Sequence, residues 1–248
     1  MWRRGKGQAW QPAKGEPVVL RGWNVIDLRF AEGTAQSRMS RWSPDRLVVD
    51  YTRTMLAALC HVPDPRQIGI VGLGGGSQVK FLHRHLPAAR LEVFEIDPAV
   101  LALRETFRIP PDDARLRVVL GDAALELPRR PAAYDLLLVD GYDPQGIPPA
   151  LSTPGFYRAC RASLREGGAV AVNLYDTEHA RHVAHLQAAF GEGQVVVLEE
   201  PRQSNRVAFG FLGLPPRPSR PPALRWRGRW ALRREFARLD AVWPRGEG

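Results

Sequence analysis

A chain of 248 residues, 44% hydrophobic and 25% charged, is long enough for one α/β domain with a full core and small appendages. No apolar run approaches the ~20 residues of a membrane helix. The basic start MWRRGKGQAWQPAKGEP lacks the apolar stretch of a secretory signal, so the expected compartment is the cytoplasm. The formal charge of +9 belongs to the ends: residues 1–22 carry +4 and residues 213–248 carry +6, which leaves 23–212 at −1. A body without positive surplus suits a cationic ligand better than a polyanion.

Residues 1–16, rich in Gly, Pro and Lys, read as a mobile basic arm. Residues 17–30 alternate well enough for one or two strands broken at Arg21-Gly22. The segment 44–60 predicts a helix, with Pro44 at its start and Leu47, Val48, Tyr51, Met55, Leu56 and Leu59 on one face. From residue 67 the pattern changes to alternating strand and helix. Strands are expected at 67–71, 91–96, 116–121, 133–140 and 169–175, and helices at 77–86, 98–107, 154–165 and 177–190. Residues 194–200 and 206–213 read as a terminal antiparallel pair. This alternation specifies a parallel sheet with right-handed crossovers. The final antiparallel strand is the usual finish of a Rossmann-like, seven-stranded methyltransferase-type sheet. The pattern divides the chain into the arm (1–16), a small β/helix region (17–60), a Rossmann-like catalytic domain (61–213) and a Pro/Arg/Trp-rich tail (214–248). The tail holds a Pro-rich linker at 214–222 and a short amphipathic helix at about 228–241, with its Trp residues packed on the body. Contact of this basic tail with RNA or a membrane surface is the less favoured alternative.

Cys60 and Cys160 lie 100 residues apart, form no C-x-x-C unit and read as small buried apolar residues. His179, His182 and His185 have a spacing that invites a metal, but no H-E-x-x-H pattern accompanies them, and no metal is expected.

Four strand ends carry the candidate site residues. The first strand runs into Gly72-Leu73-Gly74-Gly75-Gly76-Ser77, where glycines let the backbone turn tightly and approach a ligand. Glu95 ends the second strand 23 residues after Gly72, the place of a ribose-binding acid in nucleoside folds. Asp97 follows just beyond it. Asp122 and Ala123 end the third strand. Asp97 before Pro98 and Asp122 before Ala123 also suit helix caps. The fourth strand delivers Asp140-Gly141-Tyr142-Asp143, with two carboxylates three residues apart. An amine nucleophile is protonated at neutral pH, so one carboxylate to accept its proton and another to hold the cation is a sensible pair. An Asx turn with a Pro stop is the structural alternative.

The ordered motifs I-V-G-L-G-G-G-S, V-F-E-I-D-P, V-L-G-D-A, Y-D-L-L-L-V-D-G-Y-D-P-Q-G and L-S-T-P-G-F-Y resemble those of the spermidine synthase (polyamine aminopropyltransferase) family, above all its compact bacterial subgroup. The resemblance covers about residues 34–213. It implies a transferase that moves the propylamine group of decarboxylated S-adenosylmethionine to an amine such as putrescine, and a homodimer. Carried over residue by residue, it makes Asp140 the catalytic base and Tyr51 its orienting partner. Gly72, Gly74, Gly75 and Gly76 then lie along the nucleoside, Glu95 holds the ribose and Asp122 the adenine, with Asp97 and Ala123 among the cofactor-binding residues. Asp143, Tyr142 and Gln36 fall to the amine substrate. Tyr51 can equally be a core aromatic of its helix. The chain departs from the family at Gly75, where an acid is usual, at Thr52 and at Gly141-Tyr142. Those departures keep ordinary S-adenosylmethionine open as cofactor, and with it a methyltransferase or a non-catalytic nucleoside-binding protein.

Overall fold

The computed structural model describes residues 16–30, 37–143, 146–175, 178–200, 205–213 and 222–243. Gln36, most of the basic arm and the Pro-rich linker therefore lie outside the described residues.

The chain begins with a three-stranded antiparallel sheet: β1 (Pro17–Arg21), β2 (Val25–Phe30) and β3 (Ser37–Ser40), in the order β1-β2-β3. The break at Arg21-Gly22 is a turn, closed by the Gly22 N–H on the Val25 carbonyl at 2.9 Å. No alternation signals β3, whose four residues hold one apolar side chain. Its pairing with β2 fixes it, and a fork from Arg38 onto Asp27 (2.7 and 2.8 Å) welds the two strands. That guanidinium holds the Asp27 carboxyl below its ordinary value.

The helix expected from Pro44 starts later. Ser43 to Arg46 form a turn, with the Arg46 N–H on the Ser43 carbonyl at 3.0 Å, and Asp45 pairs with Arg84 instead of capping a helix. Helix α1 (Asp50–Met55) follows and tightens into a 3-10 turn at Leu56–Cys60, whose five residues are all buried.

The central sheet contains β4 (Gln67–Val71), β5 (Arg90–Glu95), β6 (Leu116–Leu120), β7 (Tyr134–Val139), β8 (Leu164–Leu174), β9 (Val195–Glu199) and β10 (Arg206–Phe211). Its order is β6-β5-β4-β7-β8-β10-β9, with β10 antiparallel to both neighbours and the pairs from β6 to β8 parallel. This is the Rossmann-like, methyltransferase-type α/β fold that the alternation specified. Helices α2 (Ser77–His85), α3 (Pro98–Ala102), α4 (Ala123–Glu126), α5 (Pro154–Ser163), α6 (His179–Phe190) and α7 (Trp226–Val242) complete it. The strand β8 begins at Leu164, five residues before its apolar run. The register slips between Tyr134 and Leu136, and Gly167, at φ +73°, takes the irregularity.

The apolar run of β7 divides as a doubly covered strand should. Leu136 and Leu138 face one core with Ile68, Ile70 and the α1 and α2 side chains. Leu137 and Val139 face the other with Tyr157, Phe156 and Leu186 of α5 and α6. The tail helix α7 docks on the first core through Leu232 and Leu239, and Gly228 lets it approach His85 closely. Its Trp residues do not pack as expected. Trp226 and Trp230 are 66% and 64% exposed, and the arginines Arg227 and Arg233 lie over their rings. Trp243 is the one that packs, stacked on His61 at 3.4 Å between ring centroids.

Among the described residues no helix is long and apolar enough to cross a membrane. Both cysteines are buried and free.

Candidate active site

The carboxyl ends of β4, β5, β6 and β7 open on one edge of the sheet, where parallel α/β sheets bind ligands. At the end of β4 the chain turns through Gly72, Gly74 and Gly76, which take φ of +91°, +48° and +63°. Space also requires glycine here: a Cβ at Gly72 would lie 2.3 Å from the Asp140 carbonyl oxygen, and one at Gly74 would lie 2.7 Å from Ser37 Oγ. Gly75 is close-packed as well, since a Cβ there would touch Phe107 and Ser37, each at 3.0 Å. The buried Lys80 staples the loop from behind, donating to the Gly75 and Phe107 carbonyls at 2.8 and 2.7 Å. Burial drops its ammonium to about 7.

The acids of β5 and β6 are held by nearby backbone. Glu95 is buried, and its two oxygens accept the Leu73 and Asp97 N–H groups, both at 2.9 Å. Asp97 caps α3 through Ala99 N–H at 2.8 Å, and Asp122 caps α4 through Ala124 N–H at 2.8 Å. The capping alternative is therefore realised in both, while each carboxylate keeps lone pairs for a ligand. Between Glu95 and Asp97, Ile96 presents a 66% exposed side chain. Nothing in the alternation of β5 suggests an exposed isoleucine; only its place between two acids at a strand end marks it.

Asp140 sits at the end of β7 against a narrow cavity whose lining includes Tyr51, Thr52, Gly72, Leu73, Gln78 and Asp140 itself, with Ser37 and Arg38 on the β3 side. Its Oδ2 accepts the Tyr51 hydroxyl at 3.1 Å and its Oδ1 accepts the Asn173 side-chain amide at 2.8 Å. The Asn205 amide in turn donates to Asn173 Oδ1 at 2.9 Å, which fixes the Asn173 NH2 toward the carboxylate. Burial raises Asp140 to about 6, against the two donors that lower it. Burial and the neighbouring carboxylate push Tyr51 well above its ordinary value, so its hydroxyl stays a donor. Tyr51 is thus both a core-packing aromatic and the partner of Asp140.

Other expected residues do not meet at this cavity. Gly74, Gly75, Gly76, Glu95, Asp97, Asp122, Ala123, Tyr142 and Asp143 are absent from its lining. Tyr142 spends its hydroxyl on backbone, donating to the Asn173 carbonyl at 2.9 Å and accepting the Tyr175 N–H at 2.6 Å. The Asp143 N–H closes a turn onto the Gly146 carbonyl at 2.9 Å. Asn173 and Asn205 carry no sequence signal: each is a lone polar residue, in or beside an apolar strand, without a motif around it. The three histidines of α6 do not converge on one point, although His182 and His185 both lie against the Tyr157 ring. His179 faces Arg206 and His182 faces the Tyr157 hydroxyl, and among the described residues no three His, Cys, Asp or Glu side chains are grouped to hold a metal ion.

Comparison with known proteins matches residues 48–190 to the spermine/spermidine synthase domain. A polyamine aminopropyltransferase of Neisseria meningitidis is 31% identical over 212 residues, which cover 83% of this chain and 80% of that protein. One of Chromobacterium violaceum is 31% identical over 202 residues, covering 80% and 77%. Among solved structures, a probable spermidine synthase from Corynebacterium glutamicum aligns with a TM-score of 0.68 at 19% identity, over 79% of this chain and 76% of that one. Human methyltransferase-like protein 13 in complex with SAH aligns at 0.63 and 24% identity, over 81% and 96%. These two structures establish the fold. The domain match and the two bacterial relatives together establish more: the chain belongs to the spermine/spermidine synthase family of transferases.

Proposed function

We propose that this chain is an aminopropyltransferase that takes the propylamine group of decarboxylated S-adenosylmethionine, passes it to a small amine such as putrescine, and releases methylthioadenosine. The single observation that carries the reading is the clamp on Asp140: a carboxylate raised to about 6, fixed by Tyr51 and Asn173, against a cavity lined by Gly72 and Leu73 at the start of the glycine loop. At neutral pH such a group is ionised and basic enough to take a proton. The amine nitrogen attacks the methylene carbon next to the sulfonium. The C–N bond forms as the C–S bond breaks, the electron pair stays on sulfur, and the nitrogen's proton passes to Asp140. The sulfonium is a good leaving group, so alignment supplies much of the rate. In this reading Glu95 and Asp97 take the ribose hydroxyls, Ile96 offers the adenine an apolar plate, and Asp122 with Ala123 meets its polar edge. Asp143 stands on the amine side, while Tyr142, its hydroxyl committed to backbone, is not assigned to the substrate. The cytoplasm and a homodimer complete the proposal, and light scattering on the purified protein tests the second.

The assay is product analysis with decarboxylated S-adenosylmethionine and a panel of amines. Methylthioadenosine is expected with at least one diamine; none with any amine would remove the reading. One observation favours ordinary S-adenosylmethionine and methyl transfer instead: at Gly75, where the family usually has an acid, there is no carboxylate, and a side chain there would press on Phe107 and Ser37 at 3.0 Å. Calorimetry with both cofactors separates the two, since tighter binding of the ordinary one points to methyl transfer.

A further inference from the structure

The tail helix α7 lies far along the chain from Asp140, yet one of its side chains reaches the supports of both donors that clamp it. Arg238 Nη1 donates to Thr54 Oγ1 at 3.1 Å and to Glu200 Oε1 at 3.3 Å, and Nη2 donates to the Glu199 carbonyl at 2.5 Å. Thr54 is fully buried and also donates to the buried Glu200. Thr54 stands one helical turn after Tyr51 on α1, so the guanidinium anchors the helix that aims the Tyr51 hydroxyl. Glu200 leads to the other arm. Its N–H donates to the Asn205 carbonyl at 2.9 Å, Asn205 donates to Asn173, and Asn173 donates to Asp140. A second tie runs from α7 to α1 between Glu235 and Arg53, at 3.5 Å.

We infer that Arg238 is a positioning residue for Asp140, holding the Tyr51 arm and the Asn205–Asn173 arm in one register. It touches no reacting atom, and the inference rests on the reading of Asp140 as the base. Three acceptors on two separate segments need a fork of donors, which an ammonium cannot reproduce. Within the clamp, the titratable groups that bear on Asp140 are Tyr51 from α1 and Tyr142 from the turn after β7. With Arg238 replaced, both donors loosen, and a carboxylate that loses donors to its ionised form becomes harder to ionise.

The experiment follows the Asp140 carboxyl carbon by NMR titration in the full chain, alongside steady-state kinetics, for Arg238→Lys and Thr54→Val. The Asp140 titration is expected to move upward by about half a pH unit or more, and kcat to fall about ten- to hundredfold, with KM for the adenosyl substrate changed less than about twofold. Arg234→Gln, at an exposed position of the same helix, should change none of these. Thr54→Val keeps the test open should Arg238→Lys fail to fold. An unmoved titration and unchanged kcat, with only a lower melting temperature, would make Arg238 a purely structural anchor and overturn the inference. Turnover retained by Asp140→Asn would instead sink the base reading. The NMR titration still decides whether α7 sets the carboxylate.

Discussion

Two stretches of the same sheet edge hold their acids in opposite ways. At the ends of β5 and β6, Glu95, Asp97 and Asp122 each accept backbone N–H groups, most of them two residues away. At the end of β7, Asp140 is held by side chains 89 and 33 residues distant in sequence. Local backbone donors place an acid as soon as its strand and helix form. Long-range donors place it only when helix α1, strand β8 and the β9–β10 hairpin are all docked. The first arrangement suits an acid that binds a ligand, and the second can tune a half-buried carboxylate toward neutrality.

The contrast is broken most severely at Asp140. Asp140→Asn should abolish turnover while affinity for an adenosine analogue falls less than about threefold, as calorimetry would read. The same change should stabilise the protein. Asp140 is raised in the fold, so its contribution to stability is present below the ordinary carboxylate value of 3.8 and lost as pH climbs through about 6. At pH 7.5 the neutral amide is therefore expected to gain about 1–3 kcal/mol in urea denaturation, a gain that fades as pH drops from 6 toward 4. Tyr51→Phe removes one donor and should move the acid limb of kcat/KM upward with a loss of about tenfold in rate. On the binding side, Glu95→Gln removes a charge-assisted acceptor, and nucleoside affinity should fall about ten- to hundredfold with the Asp140 limb unmoved. Asp122→Ala removes the α4 cap and should cost about 1 kcal/mol of stability. The smallest expected effect is deletion of residues 1–14: activity in the product assay should be intact, and a loss would make the basic arm part of the enzyme.

The same contrast explains what was legible in the sequence. The strand ends, the glycine loop and Glu95, Asp97 and Asp122 all lie on local patterns of fixed period and spacing, so they could be read residue by residue. Strand β3 could not, because four mostly polar residues become a strand only through pairing with β2 and the Asp27–Arg38 fork. Pro44 read as a helix start, but Ser43 to Arg46 had a competing turn and Asp45 a distant cation. Asn173, Asn205, Thr54, Glu200 and Arg238 are illegible in the sequence for the same reason. A buried polar network is defined by which segments meet, and no window of sequence contains more than a piece of it. Trp226 and Trp230 stay exposed because the face of α7 that docks is set by Leu232 and Leu239, not by the largest apolar side chains.

The central claim is that Asp140, raised and clamped, takes the proton of the attacking amine. The most direct measurement is the pH profile of kcat/KM for methylthioadenosine formation, in the wild-type chain and in Asp140→Asn. The account expects an acid limb near the free-enzyme value of about 6 in the wild type, and a variant slower by several orders of magnitude that shows no such limb. Equal rates in the two proteins, or the same limb persisting in the variant, would contradict it.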